Sequence, residues 1–177
     1  MLKKILIVVF AIIALFLTVV AVQPDSFSMQ RDAVIDATPA ELFAQVDDHR
    51  NFAKWNPFNE LDPAVVNTFS GAESGVGAVC SWKGNSKIGA GSSTIVESKP
   101  HELVRQRMDW KEPMESIGHV DFTFREKDGK TLVTWKMYGP QNFVGKAFSL
   151  FMSAEDMCGP MFEKGLADLA KTVEKTP

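Results

Sequence analysis

The sequence predicts an α+β fold in which an antiparallel β-sheet is packed with a long C-terminal helix, preceded by one N-terminal transmembrane helix. Three observations carry that expectation. An uncharged apolar run fills Ile5 to Val22, six strand-like segments separated by short turn-rich pieces follow Val65, and from Phe143 the apolar residues recur at three and four residue steps. With 177 residues, 45% of them hydrophobic and 23% charged, the chain suffices for one domain with a substantial core plus an appendage. Residues 1–23 are expected to form the appendage and residues 24–177 the domain.

The apolar run contains 14 Leu, Ile, Val or Phe residues, and Thr18 carries its only hydroxyl. About 18 residues at 1.5 Å each make roughly 27 Å of helix, close to the hydrocarbon thickness of a bilayer. An uncleaved anchor is the expected reading. A cleaved signal peptide is the alternative, because Val19-Val20-Ala21 resembles a cleavage site, although such apolar regions usually run to only about 7 to 15 residues. Lys3 and Lys4 should stay cytoplasmic, which sends the remainder to the extracytoplasmic, periplasmic side of a single-pass protein in the cytoplasmic membrane.

After the polar tether Gln23-Pro24-Asp25-Ser26, Phe27 to Asp36 reads as a first strand. Thr38, Pro39 and Glu41 then spell a helix start: a capping hydroxyl, a proline suited to the first turn, and a carboxylate placed to reach back. Leu42, Phe43 and Val46 give that helix its apolar stripe. It should end near Asp47-Asp48-His49, and a second helical turn carrying Phe52 and Trp55 should stop at Pro57. Phe52 and Trp55 are expected to plug one end of a sheet–helix gap, with Pro57 and Pro63 as an elbow into the next strand.

The strands are expected at Val65 to Gly71, Ala78 to Gly84, Ile88 to Ser98, Leu103 to Trp110, Ile117 to Glu126 and Lys130 to Tyr138. Connections as short as Gly84-Asn85, Lys99-Pro100 and Lys127-Asp128-Gly129 join only antiparallel neighbours. A six-stranded meander follows, completed by the first strand. The closing helical stretch carries Phe143, Val144, Ala147, Phe148, Phe151, Met152, Met157, Met161, Phe162, Leu166, Leu169 and Val173, and Gly159-Pro160 should bend or break it.

Charge narrows the partners. With Lys3 and Lys4 set aside, 17 basic side chains face 22 acidic ones, a formal −5 on the exported part. That sign argues against nucleic acid and against docking on anionic head groups. Any membrane contact beyond the anchor would be apolar. Cys80 and Cys158 could pair in an oxidising space, a buried free thiol being the commoner outcome, and neither has metal-ligand spacing.

The order of motifs resembles the START-like, helix-grip superfamily in its SRPBCC or polyketide cyclase/dehydrase branch. The likeness is carried by Ala37-Thr38-Pro39, Leu42-Phe43, Val46-Asp47, Phe52, Trp55-Asn56-Pro57, and Gly75-Val76-Gly77 leading to Trp82. It continues through Met108-Asp109-Trp110-Lys111-Glu112-Pro113 and Thr134-Trp135 to Tyr138-Gly139-Pro140, and spans about residues 27 to 174. The resemblance implies a curved sheet gripping the C-terminal helix, with an apolar cavity between them that holds lipids, sterols or polyketides in various members. It transfers no catalytic residue, since the superfamily shares no single reaction.

Strand parity supplies the candidate lining. Val120, Phe122, Phe124 and Val133, Trp135, Met137 face one way, with Val104, Gln106, Met108 and Trp110, while Arg105, Arg107, Asp109, His119, Asp121 and Lys136 face the other. The expected ligand-binding set is Trp82, Gln106, Met108, Trp110, Phe122, Trp135 and Met137 from the sheet, and Phe148, Phe151 and Met152 from the helix, with Tyr138 at the mouth. Met157 and Met161 join the helix lining. Gln106 is the candidate orienting group, because an inward amide among apolar side chains requires a partner.

No catalytic residue, metal ligand or cofactor site is assigned. His49, His101 and His119 fall in a loop, at a strand start and on the outer face, and Gly71 to Gly77 joins two strands where a phosphate loop would open a helix. The expected function is a membrane-anchored binding domain for a hydrophobic small molecule or lipid, without nucleic acid. The alternatives are a cyclase/dehydrase-like enzyme, with Glu115, Asp109 or His119 reaching in from the rim, and a protein-interaction module with a filled core.

Overall fold

The computed structural model describes residues 1–173. Helix α1 (Leu2–Ala21) leads into strand β1 (Ser26–Ile35), followed by helices α2 (Pro39–Val46) and α3 (His49–Trp55) and a 3-10 turn (Pro57–Leu61). Strands β2 (Val66–Gly71), β3 (Ala78–Lys83), β4 (Ala90–Lys99), β5 (Leu103–Glu112), β6 (Ser116–Lys127) and β7 (Lys130–Pro140) come next, then helices α4 (Phe143–Ser149) and α5 (Ala154–Val173). One seven-stranded sheet results, in the order β1-β7-β6-β5-β4-β3-β2, with every pair antiparallel. This is the helix-grip architecture, with α5 laid across the sheet. The short connections dictate the meander, and β1 closes on β7 from Ser26↔Pro140 to Ile35↔Thr131.

The local signals act as their chemistry requires. Thr38 Oγ1 accepts from the Glu41 N–H while Glu41 Oε2 accepts from the Thr38 N–H at 2.9 Å, a reciprocal cap with Pro39 in the first turn of α2. Asp48 caps α3, and Asn56 caps the 3-10 turn that begins at the buried Pro57. The elbow is therefore built from caps and a proline. Trp55 is buried there, its Nε1 donating to the Gln45 carbonyl, with Phe52, Phe122 and Trp135 packed edge-on around it.

The C-terminal helical stretch departs from expectation. It breaks at Leu150–Ser153, and α5 runs unbroken through Gly159-Pro160. Ser153 and Asp156 form a second reciprocal cap: the Ser153 N–H donates to Asp156 Oδ2 at 3.2 Å and the Asp156 N–H to Ser153 Oγ at 3.1 Å. That cap starts a new helix. Beside Pro160, a cross-link from β1 meets α5: Arg31 reaches up between Glu155 and Glu163, with Nε donating to Glu163 Oε1 at 2.7 Å. A Cβ at Gly159 would stand 2.5 Å from Arg31 Nη2, so the bare glycine admits the guanidinium.

The core lies between α5 and the β1, β7, β6 half of the sheet. Trp135 stacks on Phe162 with ring centres 4.1 Å apart, and Phe122, Leu166 and Leu169 complete a closed layer. Gly165 is required at this point, since its Cβ would meet Trp135 at 2.6 Å and the Pro57 ring at 3.0 Å. Cys80 and Cys158 are separate thiols, and burial pushes Cys80 up to about 11.

Candidate functional site

The inner face of the sheet has two regions with different packing. Over β1, β7 and β6 the expected sheet–helix gap is filled: Phe122 and Trp135 lie against Phe162, and Met137 is buried beside them. These three residues are core. Two recesses of the described chain lie elsewhere: one of about 550 Å³ outside the elbow at Lys54, Asn59 and Asp168, and one of about 340 Å³ between β1 and α5 at Val34 and Ala167. Neither is lined by a member of the expected ligand set.

The other region is shallower. Trp82, Met108 and Trp110 remain partly exposed on the inner face of β3 and β5. Three glycines form the floor beside them. A Cβ at Gly91 would meet the Trp82 ring at 2.6 Å, one at Gly118 the Trp110 ring at 2.9 Å, and one at Gly139 the Gly118 Cα at 3.0 Å. The indoles can lie flat because those side chains are missing. Trp82 is fixed by its Nε1, which donates to the Ile88 carbonyl at 3.3 Å. The register pairs Trp82 with Gly91, Gly91 with Trp110, and Gly139 with Phe27. This trough therefore sits at the end of the sheet from which β1 leads back to α1.

Beneath it lies a buried polar group. Gln106 is 2% exposed, and its Oε1 accepts from Ser93 Oγ at 3.1 Å, while its Nε2 has no partner. His49, 3% exposed, rests against the backbone of Ala78 and Ser93, yet neither ring nitrogen completes a well-formed hydrogen bond. Burial lowers its pKa, with the carboxylates of Asp48 and Asp47 opposing that shift in part. The expectation that His49 falls in a loop is thus corrected: Asp48 caps a helix whose first residue, His49, is buried. Arg31 also stands on the inner face of β1, so charge is not absent from it, although Glu155 and Glu163 compensate it.

Four expected lining residues lie outside the groove. Tyr138 is on the outer face, where parity with Lys136 puts it, and its Oη donates to Asp121 Oδ1 at 3.3 Å while its ring stacks on His119. Asp121 is in turn held by Arg105 through two hydrogen bonds, at 2.9 and 2.8 Å. Phe148, Phe151 and Met152 belong to α4 and the break after it, and all three are exposed, Phe151 by 80%. Periodicity alone placed them with α5. Once the Ser153 cap separates the two helices, that phase no longer applies. Met157 is exposed as well, and Met161 is partly buried. Asp109 pairs outward with Arg107, His119 faces outward, and Glu115 is exposed in the β5–β6 connection, so none of the three reaches the inner face.

Comparison with solved structures returns the same fold at low identity. The di-domain ARO/CYC BexL from the BE-7585A biosynthetic pathway aligns with TM-score 0.62 and 15% identity, covering 90% of this chain and 54% of that one. Protein CV1439 from Chromobacterium violaceum aligns with TM-score 0.60 and 16% identity, covering 87% and 100%. Ginseng major latex-like protein 151 from Panax ginseng aligns with TM-score 0.59 and 12% identity, covering 86% and 100%. No curated protein matches the chain. At these identities the likeness establishes the fold alone. The sequence itself matches a family profile over residues 26–174, nearly everything after α1, and the chain belongs to that family, polyketide cyclase / dehydrase and lipid transport.

Proposed function

We propose that the chain is a membrane-tethered domain, residues 24–177 held by an anchor of residues 1–23, that binds an apolar small molecule or lipid in the trough of Trp82, Met108 and Trp110. The observation that carries this reading is the position of the trough: partly exposed indoles and a thioether on the inner face, at the sheet end adjoining the apolar helix. Burying such surface contributes about 25 cal/mol per Å². The glycine floor lets the two indoles lie flat and offer their faces to a flat or flexible chain, and the thioether adapts to its shape. Below it, the unpartnered Gln106 amide would donate to a ligand carbonyl or hydroxyl. The family description includes lipid transport. Lys3 and Lys4, which favour the cytoplasmic side of such a helix, support an extracytoplasmic position for the domain.

The test is solvent extraction of full-length protein purified from membranes, followed by mass spectrometry. A lipid or other apolar compound recovered with the wild type, and depleted in the Trp82→Ala/Trp110→Ala double variant, is the expected result. Protein recovered empty, with no mass shift across a panel of lipids and aromatic compounds, refutes the proposal.

A further inference from the structure

Helix α4 and the break that follows it form an apolar projection whose large side chains remain exposed. Phe143, Val144, Phe148, Phe151 and Met152 are all exposed, and from Phe143 to Met152 the only charged residue is Lys146. Its ammonium is withdrawn from solvent, 8% of the residue being exposed, and pairs with Asp25 of the tether. The Gln141 N–H donates to the Asp25 carbonyl at 2.8 Å, a second bond at the same place. The projection is thus fastened to the point where the chain leaves α1. Phe151 also meets Phe16 of α1, ring centres 6.3 Å apart, so the apolar surfaces of α1 and α4 are continuous.

The geometry points to α4 and the turn after it as a second membrane contact, seated in the outer interfacial layer of the bilayer that α1 crosses. Phe16 lies five residues before the end of α1 at Ala21, or about 7.5 Å along the axis. A ring beside it lies within the roughly 5–10 Å to which interfacial apolar faces are immersed. The bilayer is the occupant argued for because the patch continues α1 and because its single cation is neutralised within the protein. With the domain at −5 overall, the contact is apolar, and it does not select anionic head groups. Since α4 follows β7 at the sheet end that carries Trp110 and Trp82, the contact presses the trough against the bilayer, and a lipid-soluble ligand passes between them without crossing water. This inference rests on the anchoring proposed above.

The test uses the full chain in neutral phosphatidylcholine vesicles, in a Cys80→Ser/Cys158→Ser background, with nitroxide labels on Phe10→Cys in α1, Val144→Cys and Phe151→Cys in the projection, and Lys127→Cys at the far end of the sheet. Collision rates with oxygen, which concentrates in the bilayer, and with a water-soluble nickel complex are compared. The expected result is a ratio several-fold higher at 10, 144 and 151 than at 127. Labels at 144 and 151 as nickel-accessible as the one at 127, with 10 protected, overturn the second contact while the anchor stands. A label at 10 exposed to nickel overturns the anchor and this inference with it. Both projection sites are exposed, so the labels leave the core intact, and near-ultraviolet circular dichroism verifies this.

Discussion

Gly165→Ala separates helix propensity from packing in the core of this fold. Gly165 is inside α5, where alanine would ordinarily stabilise by about 1 kcal/mol. The added methyl, however, would stand 2.6 Å from Trp135 Cζ3 and 3.0 Å from Pro57 Cδ, against an optimal carbon separation of about 3.5–4.0 Å. Trp135 cannot retreat, being buried and stacked on Phe162, and Pro57 is a buried ring at a capped turn. An overlap of about 1 Å between rigid groups belongs at the upper end of overpacking costs, about 3 kcal/mol. The net is about 2 kcal/mol of destabilisation, a fall in Tm of about 4–8 °C for a domain of this size. Gly159→Ala is the control: there the obstacle is the flexible end of Arg31, so the variant should unfold at or above the wild-type temperature. Thermal unfolding by circular dichroism in detergent micelles measures both. A Gly165→Ala protein as stable as the wild type would refute the packing argument.

Removing the α2 cap with Thr38→Ala should cost about 1 kcal/mol, read as a lower denaturant midpoint at unchanged slope. His49 is a base whose folded pKa lies below its unfolded value, so the unfolded chain binds more protons and stability falls as pH drops below about 6.5, levelling off once the pH lies below the folded value. Denaturant titrations from pH 7.5 to 5 should show that loss, and His49→Gln should reduce it. Cys80, whose thiol burial holds near 11, should resist alkylation by iodoacetamide at pH 8 in the folded protein and react promptly in denaturant. Arg105→Lys should lower stability, because a lysine cannot reproduce the two-pronged bond to Asp121, the largest contribution to the raised pKa of Arg105.

Where a local rule acts alone, the sequence is sufficient. Thr38 and Glu41 cap α2, and the alternation of Val120, Phe122 and Phe124 or Val133 and Trp135 fixes which face is buried. Short turns between the later strands leave no topology other than a meander. Tyr138 obeys the same rule: its parity with Lys136 places it outside, away from the mouth where a polar group is expected. Phe148, Phe151 and Met152 were not legible for a different reason: an apolar period indicates a face to be buried but not whether protein or lipid covers it. The break that decouples them is signalled by Ser153 and Asp156, which repeat the cap spacing of Thr38 and Glu41. His49 left no signal, because a histidine beside two aspartates reads as solvated, and only the fold brings Ala78 and Ser93 over it.

The strand attached to α1 is hydrogen-bonded to the last strand of the sheet, with Ser26 opposite Pro140. Synthesis proceeds from the N-terminus, so β1 must wait for roughly a hundred further residues before its partner emerges. Until then its edge is bare, four residues beyond the end of α1. Completion of the sheet is thus timed by the arrival of β7, and a chain truncated before Lys130 would leave β1 unpaired.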